Sequence, residues 1–121
     1  MAILITGGAG YIGSHTAAQL LAQGEEIVIL DNFSNSKPEV LDAIRTLTGR
    51  DFPFYQADLL DEGQLEQVFQ ENAIHTVIHF AGLKAVGESV AKPLLYYHNN
   101  LTGTLNLCRA MERHGCFSLV F

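Results

Sequence analysis

Short apolar runs alternate along this chain with longer stretches in which apolar residues recur every three or four positions. Ala2–Thr6 and Glu26–Asp31 are runs of the first kind, almost continuously apolar, as in strands covered on both faces. Tyr11–Gln23 is of the second kind: Gly13, Ala17, Leu20 and Leu21 fall at helical spacing, and Gly24 ends the pattern. A further helix is predicted from Pro38 to Leu47, with Val40, Leu41, Ile44 and Leu47 apolar. Phe52–Ala57 reads as a weaker third strand. Asp61 and Gln64 have the spacing of a capping box and open a helix with Leu65, Val68 and Phe69 on one face. Thr76–Phe80 reads as a fourth strand and Pro93–His114 as a long helix with Leu101, Leu105, Cys108 and Met111 on one side. Ser118 begins a fifth strand. No repeat or linker breaks the alternation, so it predicts one domain of βαβ units around a parallel sheet. Right-handed crossovers give the strand order 3-2-1-4-5.

Composition narrows this picture without changing it. The 121 residues, 48% hydrophobic and 17% charged, suit one globular α/β domain and argue against disorder. A formal net charge of −6 offers no electrostatic attraction to nucleic acid or an anionic membrane, and neither is expected as a partner. No apolar run approaches the roughly 20 residues of a membrane span, and the amino terminus lacks the pattern of a secretory signal. Cys108 and Cys116 form no C-x-x-C pair and read as reduced thiols, which points to the cytoplasm. The five histidines show no paired metal-ligand spacing, so no metal is expected, and His79 reads as a packing histidine.

The chemistry begins at "TGGAGYIG", Thr6 to Gly13. Gly7, Gly10 and Gly13 follow a predicted strand, open a predicted helix and precede an acidic residue that closes the next strand. The first glycine permits a tight turn, and the second lets backbone N–H groups approach a pyrophosphate. The third allows close packing of helix on sheet. The helix amino terminus adds the positive end of its dipole. Asp31 stands 18 residues after Gly13, about where a carboxylate would bind both hydroxyls of a ribose. In this context the motif predicts a dinucleotide site on a Rossmann-type doubly wound sheet.

The three-residue glycine step differs from the G-x-G-x-x-G of ordinary dehydrogenases and resembles the extended short-chain dehydrogenase/reductase superfamily. "HFAGLKAVGESV" (His79 to Val90) and "YYHNNLTGTLNL" (Tyr96 to Leu107) sharpen the likeness to the UDP-glucose 4-epimerase family, and it extends from Met1 to Phe121. The resemblance implies a bound NAD whose pyrophosphate is bordered by Tyr11 and Ile12, and whose adenosine ribose is surrounded by Asp31, Asn32, Ser34, Asn35 and Ser36. Asp31 would repel a 2′-phosphate, favouring NAD over NADP. Asp58 and Leu59 match the family's adenine-contacting pair, Phe80, Ala81, Gly82 and Lys84 follow the fourth strand, and Asn99 matches a cofactor-proximal asparagine. It also implies interconversion of UDP-galactose and UDP-glucose through a 4-keto intermediate, and a homodimer paired through the Pro93–His114 helix.

The sequence departs from that family in its catalytic residues. Four positions after Tyr11, Tyr55, Tyr96 and Tyr97 stand His15, Leu59, Asn100 and Leu101, so none forms the family's Y-x-x-x-K. The expectation is an amino-terminal NAD-binding domain over residues 1–121, incomplete at its carboxyl end, without the substrate-binding region and inactive alone. Two other readings stay open: a similarly truncated nucleotide-sugar dehydratase or decarboxylase, and a stand-alone NAD-binding module.

Overall fold

A computed structural model describes residues 1–34, 36–82 and 86–121. Its core is a parallel sheet of β1 (Ala2–Thr6), β2 (Ile27–Asp31), β3 (Phe54–Gln56), β4 (Ile74–His79) and β5 (Ser118–Val120), in the order β3-β2-β1-β4-β5. The predicted order is the observed one.

The continuous apolar character of β1 and β2 follows from the two-residue period of a strand, since both faces are covered. Ile3, Ile5, Ile27 and Ile29 pack with Ala17 and Leu21 of α1 (Tyr11–Ala22) and with Leu41 and Ile44 of α2 (Glu39–Thr48). Leu4, Val28 and Leu30 face the other way, towards Leu65, Val68 and Phe69 of α3 (Glu62–Glu71) and Leu107, Ala110 and Met111 of α6 (Gly103–Arg113). Burying one such side chain contributes about 1.5–3 kcal/mol, so the two layers hold the strand ends in register. Between β4 and α6 lie two short helices, α4 (Val86–Ala91) and α5 (Pro93–Tyr97), and one π turn (His98–Thr102). Among the described residues no helix is long and apolar enough to cross a membrane.

Several local expectations are corrected. The predicted third strand shortens to Phe54–Gln56 because Pro53, lacking an N–H, can only accept from Ile29. Leu47 is exposed: it lies about 120° around the helix from Leu41, and Thr48 comes round to the sheet side instead. The capping box is half formed. Asp61 accepts from the Gln64 amide at 3.1 Å, but the Gln64 side chain accepts from the Asp58 amide at 3.0 Å rather than from Asp61. In the Pro93–His114 segment, Leu101, Leu105 and Cys108 are exposed, whereas Met111 is buried with Gly103, Asn106, Leu107 and Ala110. The segment carries two apolar stripes, and the one with Gly103 lies inward. A Cβ on Gly103 would meet the Leu59 Cβ at 3.2 Å, so its bare backbone suits that close approach. The free thiol of Cys116 is buried, and burial raises its pKa.

Candidate cofactor cleft

The cleft lies at the carboxyl ends of β1, β2 and β4, where open α/β sheets bind ligands. Its floor is the glycine turn. Gly7 has φ +69°, and its amide donates to the Leu30 carbonyl at 2.8 Å. A Cβ there would lie 2.7 Å from the Ala81 nitrogen, and one on Gly13 would overlap the Gly7 carbonyl oxygen. These two glycines weld the turn to β4 and to α1. Gly10 differs: its φ of −75° is ordinary, and a Cβ would meet only the Gly7 oxygen, at 3.2 Å. Gly7 and Gly10 line the cleft, and Gly13 is buried beneath it. Tyr11 and Ile12 form the first turn of α1 with exposed side chains outside the cleft lining, the Tyr11 ring 4.7 Å from that of His15. No described side chain caps this helix and its first turn has no acidic residue, so the dipole end is unopposed there.

Asp31 ends β2 on the cleft wall, 7% exposed. Its Oδ2 accepts from the Ala9 amide at 3.1 Å; Oδ1 accepts from the Phe33 amide at 2.9 Å and the Ser36 hydroxyl at 3.1 Å. The carboxylate is therefore oriented by the glycine turn on one side and by its own loop on the other. Phe33, at φ +59°, anchors that loop by packing its ring 5.1 Å from Phe54. Asn32 accepts from the Ser34 amide at 3.0 Å and reaches Asp58 at 3.4 Å, linking the loops after β2 and β3. Asp58 also accepts from the Leu60 amide at 2.9 Å, and buried Leu59 offers its carbonyl to Asn106 at 2.9 Å.

The opposite wall begins with Phe80, Ala81 and Gly82 and ends at Asn99, whose amide donates to the Asn100 side chain at 3.1 Å. Thirteen of the predicted residues, namely Gly7, Gly10, Asp31, Asn32, Ser34, Ser36, Asp58, Leu59, Phe80, Ala81, Gly82, Asn99 and, beneath the turn, Gly13, are thus gathered around one cleft. Asn35 and Lys84 lie outside the described residues. Sequence reasoning missed Asn100 and Thr104, which also line the cleft, and took His79 for packing alone although it lines the cleft too. The Asn-Asn pair preceding a threonine four residues on was the signal for the first two.

Known proteins resemble this chain in sequence and fold. Residues 3–121 match the NAD dependent epimerase/dehydratase family. A UDP-glucose 4-epimerase of Bacillus subtilis is 64% identical over all 121 residues, which correspond to 36% of its length. A Klebsiella pneumoniae protein of the same name is 54% identical, and the chain covers 87% of it. Among solved structures, the UDP-glucose 4-epimerase of Bifidobacterium longum, in complex with NAD+ and UDP, superposes with a TM-score of 0.96 at 48% identity, over 98% of this chain and 36% of that one. The glycine turn, the sheet order and these similarities together establish that the chain belongs to the NAD dependent epimerase/dehydratase family.

Proposed function

We propose that residues 1–121 are the amino-terminal NAD-binding domain of a UDP-glucose 4-epimerase, which interconverts UDP-galactose and UDP-glucose in galactose metabolism. The observation that carries this reading is the oriented Asp31 carboxylate, held against the glycine turn on the same cleft as Gly10 and the uncapped start of α1. One wall presents an anion suited to ribose hydroxyls; the floor presents N–H groups suited to phosphate. NAD fits this donor set, with the bare Gly10 backbone admitting the pyrophosphate to the Tyr11 and Ile12 amides, and Asp31, Asn32, Ser34, Asn35 and Ser36 around the adenosine ribose. Asp58 and Leu59 would hold the adenine, and Phe80, Ala81, Gly82, Lys84 and Asn99 the remainder. When bound, NAD supplies reversible hydride acceptance at the sugar C4. The contribution of these residues is to bind and orient it and to exclude a 2′-phosphate.

Calorimetry with NAD tests the reading. Asp31→Ala is expected to weaken binding by about 1–3 kcal/mol through lost charge-assisted hydrogen bonds. It also strips acceptors from the Ala9 and Phe33 amides, so a melting curve on the same sample must show a folded protein. A folded Asp31→Ala chain with unchanged NAD affinity would refute the placement.

The same reading makes the whole enzyme a cytoplasmic homodimer acting on a UDP-sugar, with no nucleic-acid or membrane partner. Support for pairing comes from the outward stripe of Leu94, Tyr97, Leu101 and Leu105, all more than half exposed. Leu101→Glu in the whole enzyme should shift sedimentation towards monomer; an unshifted dimer would count against this face.

A further inference from the structure

Thr6 closes β1, His79 closes β4, and the parallel register sets them side by side. Both are buried, at 0% and 7% exposure, in strands that are otherwise largely apolar. The Thr6 hydroxyl lies 2.6 Å from His79 Nδ1, and His79 Nε2 lies 3.2 Å from the Thr104 hydroxyl. The neighbouring hydrogen bonds set the direction at Nε2, and neutrality of the ring then sets it at Nδ1. Thr104 donates its one hydroxyl hydrogen to the Asn100 carbonyl at 2.7 Å, so it can only accept from His79 and Nε2 must carry the proton. Thr6 accepts from the Ala81 amide at 3.3 Å, and in a neutral ring protonated on Nε2 the Nδ1 lone pair takes the Thr6 hydroxyl hydrogen.

We propose that His79, held as the neutral Nε2–H tautomer, is a positioning residue that ties the glycine-turn end of β1 to the start of α6. In doing so it sets the width of the cleft on its β4 side. The tie joins every element of that side. Gly7 follows Thr6, Ala81 and Gly82 follow His79 with the Ala81 amide on the same Thr6 hydroxyl, and Asn100 receives the Thr104 hydrogen. The sheet order reverses between β1 and β4, where a dinucleotide crosses from one half of the fold to the other. Asp31 stands on the β2 side, which assigns the adenosine half to that side and the other half to the cleft that His79 spans. The inference rests on the proposed NAD site and names the residue that shapes its distal half.

The test compares NAD with ADP, which carries the adenosine and both phosphates but nothing beyond them. In calorimetry on the 121-residue chain, His79→Phe and Thr104→Val should each weaken NAD about tenfold while leaving ADP within about twofold. His79→Gln, whose side-chain amide can still donate to Thr104, should recover most of the loss. Equal weakening of both ligands would mean a merely structural role and would overturn the inference, as would unchanged NAD affinity. Should His79→Phe not fold, Thr104→Val carries the comparison. A long-range proton–nitrogen correlation spectrum of the ligand-free imidazole at pH 7 is the second readout. It should show the proton on Nε2 alone; a proton on Nδ1 would overturn the tie even in a chain that binds no NAD, which separates this failure from failure of the proposed function.

Discussion

Gly13→Val is expected to cost about 3 kcal/mol or more of folding stability, lowering the melting temperature by roughly 10 °C, because its Cβ would overlap the Gly7 carbonyl oxygen. The opposing atoms are backbone, fixed by the Gly7–Leu30 hydrogen bond below and by α1 above, so neither side can yield cheaply. Gly7→Ala meets the same obstacle at the Ala81 nitrogen and adds the strain of a side chain at φ +69°. Gly10→Val is expected to behave in the opposite way. Its backbone is extended and its Cβ meets one atom at 3.2 Å, so the melting temperature should stay within about 3 °C of the parent. The valine methyls would instead occupy the cleft floor and weaken NAD by more than about tenfold. Thermal melts and calorimetry on the three variants read these two effects separately. A Gly13→Val chain that melts like the parent would remove the packing role, and a Gly10→Val chain with parental NAD affinity would remove the backbone approach.

The residues that were legible in the sequence are those whose surroundings are local or two-sided. β1 and β2 declare themselves because burial on both faces demands apolar residues at every position, and the glycine spacing declares the turn because only bare backbone fits against β4 and α1. Asp31 was legible as the carboxylate that closes β2, and it does line the cleft, but its three hydrogen bonds from Ala9, Phe33 and Ser36 were not, because they depend on how two loops meet. Helical periodicity identified the Pro93–His114 segment and could not say which of its two apolar stripes meets the sheet. The π turn at His98–Thr102, which leaves both Asn99 and Asn100 on the cleft, has no period of its own to read. His79 escaped for a related reason: a histidine ending an apolar strand looks like packing until Thr104, 25 residues away, is placed beside it.

The 121-residue chain, supplied with saturating NAD, is expected to give no interconversion of UDP-galactose and UDP-glucose above background. Removing the C4 hydroxyl proton in the manner of the resembled family needs a tyrosine whose pKa is lowered by a lysine four residues on, and no tyrosine here has one. Among the described residues, the four tyrosines and the two buried cleft groups Asp31 and His79 are placed or engaged otherwise. Tyr11 and Tyr97 are exposed outside the cleft lining, and Tyr96 donates to Glu88 at 3.0 Å. Tyr55 donates to Glu71 at 2.7 Å, and burial together with that carboxylate pushes its phenol up, away from service as a base near neutral pH. In the cleft itself, the Asp31 oxygens already accept three hydrogen bonds, and the His79 nitrogens are bonded to Thr6 and Thr104. Losing a positioned general base alone costs on the order of 10² to 10⁴ in rate, before any loss in holding the sugar nucleotide is counted. A coupled assay for UDP-glucose, run beside calorimetry that proves the cofactor bound, makes the measurement. Turnover well above background in a chain shown to hold NAD would mean that a base lies within Met1–Phe121, and that the division between cofactor binding and catalysis drawn above is wrong.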